Sequence, residues 1–115
     1  MRKLGFKIES LALDHLTTHG FQLVCRNFYC RQGEIDIIGL QGEYLVFVEV
    51  RFRKQSGYGI AEESLSTNKK RKILHTAQVF LHRWPQFSNH SCRFDVIAVT
   101  LEGSNYIINW IPNAF

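Results

Sequence analysis

Proline, cysteine and long apolar runs are all scarce in this chain, and each scarcity closes off a class of protein. Two prolines occur in 115 residues, and no Pro- or Ser-rich stretch divides the chain. We read residues 1–115 as a single domain, which the length suits. The three cysteines, Cys25, Cys30 and Cys92, are an odd set without a C-x-x-C. Neither a disulfide framework nor a zinc site is expected, and the thiols read as buried or half-buried. No run of about 18 apolar residues exists, so no membrane-spanning helix is expected. The opening MRKLGFKIES lacks the apolar segment of a secretory signal, which leaves the cytoplasm as the expected setting. P-loop, Rossmann-glycine and G-x-S-x-G patterns are missing too. His15 and His19 stand four apart, but no third ligand follows at a telling spacing.

What remains is a core-forming, mildly basic chain. It is 45% hydrophobic and 13% aromatic, enough to fold compactly rather than stay disordered. Fourteen Lys and Arg against ten Asp and Glu leave a net charge of +4, which permits a polyanion partner without demanding one. The cations gather in two places: Arg51, Arg53 and Lys54, and then Lys69, Lys70, Arg71 and Lys72.

Periodicity predicts the elements. Leu4, Ile8, Leu11, Ala12, His15 and Leu16 recur at helical spacing over residues 3–19, and Gly20 follows as a stop. Residues 21–30 read as a strand, and 34–40 and 44–53 as two more around a tight turn at 41–43. Residues 54–62 carry two glycines and read as an exposed loop. A second helix over 67–83 presents Ile73, Ala77, Phe80, Leu81 and Trp84, and Pro85 ends it. Strands near 92–100 and 105–111 complete the order αβββαββ, which predicts an α/β protein with a mixed sheet flanked by helices.

The hairpin GEIDIIGLQGEYLVFVEVRFR carries charge where core is expected. Side chains alternate across a strand. Glu34 and Asp36 therefore share one face with Glu49 and Arg51, while Ile35, Ile37, Val46, Val48 and Val50 share an apolar one. A turn at Gln41-Gly42 pairs Glu34 with Glu49, and a turn at Gly42-Glu43 pairs Asp36 with Glu49. Like charges directly opposite destabilise a sheet. A hard cation is one reason to gather them: Mg²⁺ takes one or two protein carboxylates plus water, polarises a phosphodiester and activates a water. A nearby cation then stabilises charge on the phosphate. A solvated face with a salt bridge among Glu49, Arg51 and Asp36 is the plain alternative.

Two helical residues match this face. Glu9 falls in the core-facing arc of the first helix, where a carboxylate is costly unless paired or coordinated. Lys69, four residues before Ile73, projects along the buried stripe of the second helix. Lysines near a helix N-terminus suit a phosphate, although a solvated basic run reads the same way.

Taken in order, Gly5-x-x-x-Glu9, Gly20, Arg26-Asn27, Gly33-Glu-Ile-Asp-Ile-Ile, Phe47-Val-Glu-Val-Arg-Phe-Arg53, Lys69 with Ile73 and Ala77, and Arg93-Phe-Asp-Val96 make the chain resemble the YraN family of small bacterial proteins. That family is similar to archaeal Holliday junction resolvases and to the restriction-endonuclease-like PD-(D/E)xK nucleases. The resemblance implies a restriction-endonuclease-like fold, nucleic acid and in particular DNA as partner, and Mg²⁺ or Mn²⁺ as cofactor. Asp36 and Glu49 are the implied metal ligands, and Glu9 corresponds to a first-helix glutamate of resolvase-like members. Glu34 belongs to the motif with a less defined role, and Lys69 falls on a helix lysine. Arg51 departs from the pattern, which has lysine there. Arginine can clamp a phosphate but stays protonated and cannot act as a base.

Three functional readings follow. One is a Mg²⁺-dependent endonuclease on branched or structured DNA, with Glu9, Glu34, Asp36, Glu49, Arg51 and Lys69 as catalytic candidates. Arg51, Arg53, Lys54, Lys69 and Lys70 are its candidate nucleic-acid contacts. The second is a nuclease-fold binding module that cleaves weakly or not at all. The third is a structural or protein-interaction domain. A resolvase-like role suits a homodimer, for which Trp110 and Phe115 are read as exposed interface aromatics.

Overall fold

The computed structural model describes residues 3–54 and 65–115. Helix α1 (Lys3–Thr18) leads into strands β1 (Gln22–Cys30), β2 (Gly33–Gln41) and β3 (Tyr44–Arg53). Helix α2 (Thr67–Arg83), a 3-10 turn over Pro85–Phe87, β4 (Ser91–Glu102) and β5 (Asn105–Ile111) follow. The order is the expected αβββαββ. Most of the expected exposed loop at 54–62 lies outside the described residues, and only Lys54 of it is described, as exposed.

The five strands form one mixed sheet in the order β1-β2-β3-β4-β5. β1, β2 and β3 are antiparallel neighbours, β3 and β4 are parallel, and β5 returns antiparallel to β4. A parallel pair needs a crossover, and α2 lies within the β3–β4 connection. Gln41 pairs with Tyr44, so the hairpin loop is Gly42-Glu43, the second of the two expected registers. Gly42 has φ 59° and Glu43 has negative φ, as a type II′ turn requires.

Each face of the sheet has its own core. On one, Ile8, Ala12 and Leu16 of α1 pack against Ile37, Val46, Val48, Ile97 and Val99. On the other, Ile73, Ala77 and Phe80 of α2 pack against Phe28, Ile35, Ile38, Leu45 and Phe47. Leu4 and Trp84 sit at the ends of their stripes and are exposed. Gly39 lies under Phe21: a Cβ there would run into the ring and come 2.5 Å from the Gln22 carbonyl. Neither described helix is long and apolar enough to cross a membrane.

Three details correct the sequence reading. Trp110 is half-buried, because its indole N–H donates to the Asp95 carboxylate at 2.8 Å. Phe115 is half-buried too: the Ala114 amide donates to the Phe94 carbonyl at 2.7 Å and turns the C-terminus onto the Phe94 ring. Neither aromatic is the freely exposed anchor expected of it. Cys92 is exposed, at the start of β4, while Cys25 and Cys30 are half-buried; all three are free thiols.

Candidate active site

The hairpin does not keep strict alternation, and the exception falls on Asp36. β2 and β3 pair from Gln41–Tyr44 only as far as Ile37–Val48. Beyond that point the backbone amide of Val50 donates to Asp36 Oδ2 at 2.8 Å. A carboxylate has taken the place of a strand-to-strand bond. On the other side of β2, Arg26 pairs with Ile37 and Phe28 with Ile35, leaving Asn27 across from Asp36. Asn27 has φ 53°, a left-handed conformation that asparagine tolerates better than most residues. The sheet therefore forks at Asp36. Ile35 consequently joins the α2-side core while Ile37 joins the α1-side core, so the two do not share the single apolar face that alternation predicts.

The fork opens a cleft of about 440 Å³ lined by Leu4, Gly5, Ile8 and Glu9 of α1 and by Asp36, Glu49, Val50 and Phe52. Gly5 and Glu9 are one turn apart, which puts the two ends of the G-x-x-x-E motif on the same side of α1. Glu49 is buried, and two cations approach it. Lys69 Nζ lies 3.4 Å from Glu49 Oε2 and Arg51 Nη1 3.9 Å from the same atom. α2 delivers Lys69 because Ser66 caps the helix, its hydroxyl accepting the Lys69 amide at 3.0 Å. Glu9 is buried as well. Arg26 Nη2 lies 3.7 Å from Glu9 Oε1, too long for a hydrogen bond, and that oxygen has no hydrogen-bond partner.

The carboxylates make an electrostatically tense group. Burial, then the neighbouring Glu49 charge, pushes the Asp36 carboxyl up to about 7, against the pull of the Val50 amide and Lys69. Burial also raises Glu49, with Lys69 and Arg51 opposing. Glu9 is raised by burial and by Asp36, opposed by the Asn27 amide and Arg26. Like charges out of water shift in this direction unless a cation joins them.

The remaining predicted residues sit around this centre. Glu34 is exposed and outside the lining of the cleft, though its charge helps to raise Asp36 and Glu9. Arg53 is half-buried two residues beyond Arg51 on the same strand, and Lys54 is exposed at its end. Lys70 points away from Lys69, its Nζ 5.9 Å from the centre of the Phe115 ring. Among the described residues no group of three or more His, Cys, Asp and Glu side chains could hold a metal ion. His15 and His19 are 4.6 Å apart between ring centres and both meet the edge of Trp110. Two carboxylates at the fork still fit a hard cation, which completes its shell with water or a phosphate oxygen. Their raised affinity for protons is the mark of a place where positive charge is welcome.

Two partners escaped functional notice in the sequence. Asn27 sets the fork from β1, and Arg26 faces Glu9. Both lie within a motif the sequence displays, but only pairing across β2 reveals what they oppose.

Fold and site together define a small mixed α/β protein with a carboxylate-lined cleft where its central hairpin divides. The model of the uncharacterised protein family UPF0102 matches residues 8–99, and the chain belongs to that family, the YraN family of the motif reading. A UPF0102 protein of Stutzerimonas stutzeri is 45% identical over 96% of this chain and 92% of its own. Relatives of the same description from Pseudomonas fluorescens and Alcanivorax borkumensis are 43% and 44% identical, covering 96% and 99% of this chain and 91% and 92% of their own.

Proposed function

We propose that this protein is a metal-dependent endonuclease acting on branched or structured DNA in the cytoplasm. One observation carries the reading: at the fork, half-buried Asp36 and buried Glu49 line one cleft, and Lys69 and Arg51 approach Glu49 beside it. Asp36 and Glu49 would hold Mg²⁺ or Mn²⁺, which when bound polarises a phosphodiester and acidifies a water. Arg51, with its planar fork of donors, would clamp a non-bridging phosphate oxygen. Lys69, held against Glu49 from α2, would donate from its ammonium to the attacking oxygen, whose proton leaves to solvent. Glu9, whose Oε1 faces Arg26 without a hydrogen bond, would orient that water from α1. Glu34, Arg53, Lys54 and Lys70 lie further out, Glu34 through its charge and the cations as backbone contacts.

Arg51 in place of lysine favours a second reading, a nuclease-fold module that binds nucleic acid and cleaves weakly or not at all. Cleavage of four-way, flap and linear DNA with Mg²⁺ or Mn²⁺ separates the two. Under the first reading the wild type cleaves, Asp36→Ala abolishes cleavage, and Lys69→Ala lowers it by ~10²-fold or more, the scale of a lost charge-stabilising donor. Salt-sensitive binding without cleavage, even in Arg51→Lys, selects the second. A four-way junction is two-fold symmetric, so that substrate calls for a homodimer. A monomer by light scattering at working concentration counts against the junction.

A further inference from the structure

The net positive charge of this protein resides on one helix. α2 holds Lys69, Lys70, Arg71, Lys72 and Arg83 and no Asp or Glu, a balance of +5. The whole chain is +4, so everything outside α2 sums to −1. The charge is also sorted around the helix. At about 100° per residue, Arg71, His75, His82, Lys72 and Arg83 fall within one arc of roughly 120°. All five are exposed. The opposite flank carries Leu74 and Leu81, with Lys70 turned onto Phe115.

The basic flank is ordered and adjoins a groove. Arg71 Nη2 donates to Asn68 Oδ1 at 2.7 Å, and the Arg83 guanidinium lies 5.4 Å from the centre of the Phe28 ring. Asn68, Arg71, Lys72 and His75 line a depression of about 150 Å³ with Gln32 of the β1–β2 turn. That turn presses on the helix: a Cβ on Gly33 would come 3.3 Å from Thr76 Oγ1 and 3.7 Å from Lys72 Cβ. The flank is continuous with the cleft, because Lys72 is the i+3 neighbour of Lys69, whose ammonium meets Glu49.

We propose that this flank of α2 is a track for a nucleic-acid backbone leaving the cleft, with Arg71, Lys72 and Arg83 as its phosphate contacts. The proposal rests on the nuclease-fold reading of the cleft and extends it to the substrate. Arg71 to Arg83 spans ~18 Å at 1.5 Å per residue, the axial length of about five nucleotides of one duplex strand. The substrate is therefore a polymer reaching at least that far beyond the reacting phosphate.

Binding measured in EDTA separates the track from the chemistry. Fluorescence anisotropy with a labelled duplex of about 20 bp compares wild type with the triple variant Arg71→Gln/Lys72→Gln/Arg83→Gln over a range of salt. The expected result is at least ~10-fold weaker binding and a log–log salt slope reduced by roughly 2–3, near 0.9 for each contact removed. The charge-keeping Arg71→Lys/Arg83→Lys variant binds like wild type and guards against misfolding of the triple variant. Hydrolysis of bis-p-nitrophenyl phosphate, too small to reach the track, keeps its wild-type rate in the triple variant. If wild type hydrolyses nothing while the binding loss persists, the cleft reading fails and the track stands. Wild-type binding by the triple variant overturns the track. So does binding to phosphatidylserine vesicles with none to DNA, which would put a membrane on this face.

Discussion

At the scale of single residues, two aspartates on strands either side of β3 show opposite treatments of a carboxylate withdrawn from water. Asp95 is fully buried and fully satisfied. It accepts from Arg93 Nε and Nη2, from Trp110 Nε1 and from the Asn113 amide, all at 2.8–2.9 Å. Those bonds tie β4 to β5 and to the C-terminal segment, so this carboxylate is structural. Asp36 has one backbone donor and a carboxylate neighbour, and carries the strain that a ligand could relieve. Asp95→Ala leaves Arg93 beside a void and strands two further donors. A loss of about 3 kcal/mol or more is expected in urea unfolding, the scale of breaking a buried pair. Since Asp95 lies outside the cleft, any activity should fall only as far as the folded fraction does. The R-F-D-V motif was visible in the sequence, but whether its Asp was catalytic or structural was not. Only the Trp110 and Asn113 donors, fifteen and eighteen residues away, decide that.

At the scale of elements, the sheet is shaped by what interrupts it. Gly39 permits Phe21 to lie against β2 and close the end of the α1-side core. Gly39→Ala forces the ring or the Gln22 carbonyl to move, since the added carbon would meet both. Overpacking of this kind costs about 1–3 kcal/mol, read as a lower denaturation midpoint with an unchanged slope. The element boundaries were largely legible, because apolar periodicity and the stops at Gly20, Gly42 and Pro85 are local signals. The fork was not. Alternation assumes a continuous ladder, and the Asp36–Val50 bond that ends it joins residues fourteen apart in sequence.

At the scale of the whole molecule, the tension at the fork should appear in the pH dependence of stability. The Asp36 carboxyl is raised from 3.8 to about 7, so between those values the folded protein holds a proton that the unfolded chain has released. Its contribution is present in full below about pH 4 and is lost as pH rises through about 7. The separation corresponds to at most ~4 kcal/mol, with burial as its main cause. In EDTA, the wild type should therefore melt lower at pH 8 than Asp36→Asn, which keeps an oxygen for the Val50 amide and cannot ionise. At pH 4 the difference should vanish. Millimolar Mg²⁺ or Mn²⁺ should raise the wild-type midpoint at pH 8 and leave Asp36→Asn unmoved, because a ligand that binds only the folded state stabilises it. A wild type as stable at pH 8 as its variant would show that the carboxylates are not in tension.

Local pattern by itself determined the order αβββαββ, the hairpin, the basic start of α2 and the set of carboxylates worth attention. These are carried by spacings of two and of three to four residues, which a chain displays without folding. Only the tertiary structure decided that Ile35 and Ile37 part company, that Trp110 and Phe115 are engaged within the molecule, and that Lys69 reaches Glu49. It also sorted Glu9, Asp36 and Glu49 into one cleft while leaving Glu34 outside. The physical reason is the same each time: the partner of each group lies on another element, so its burial and charge are properties of the packing.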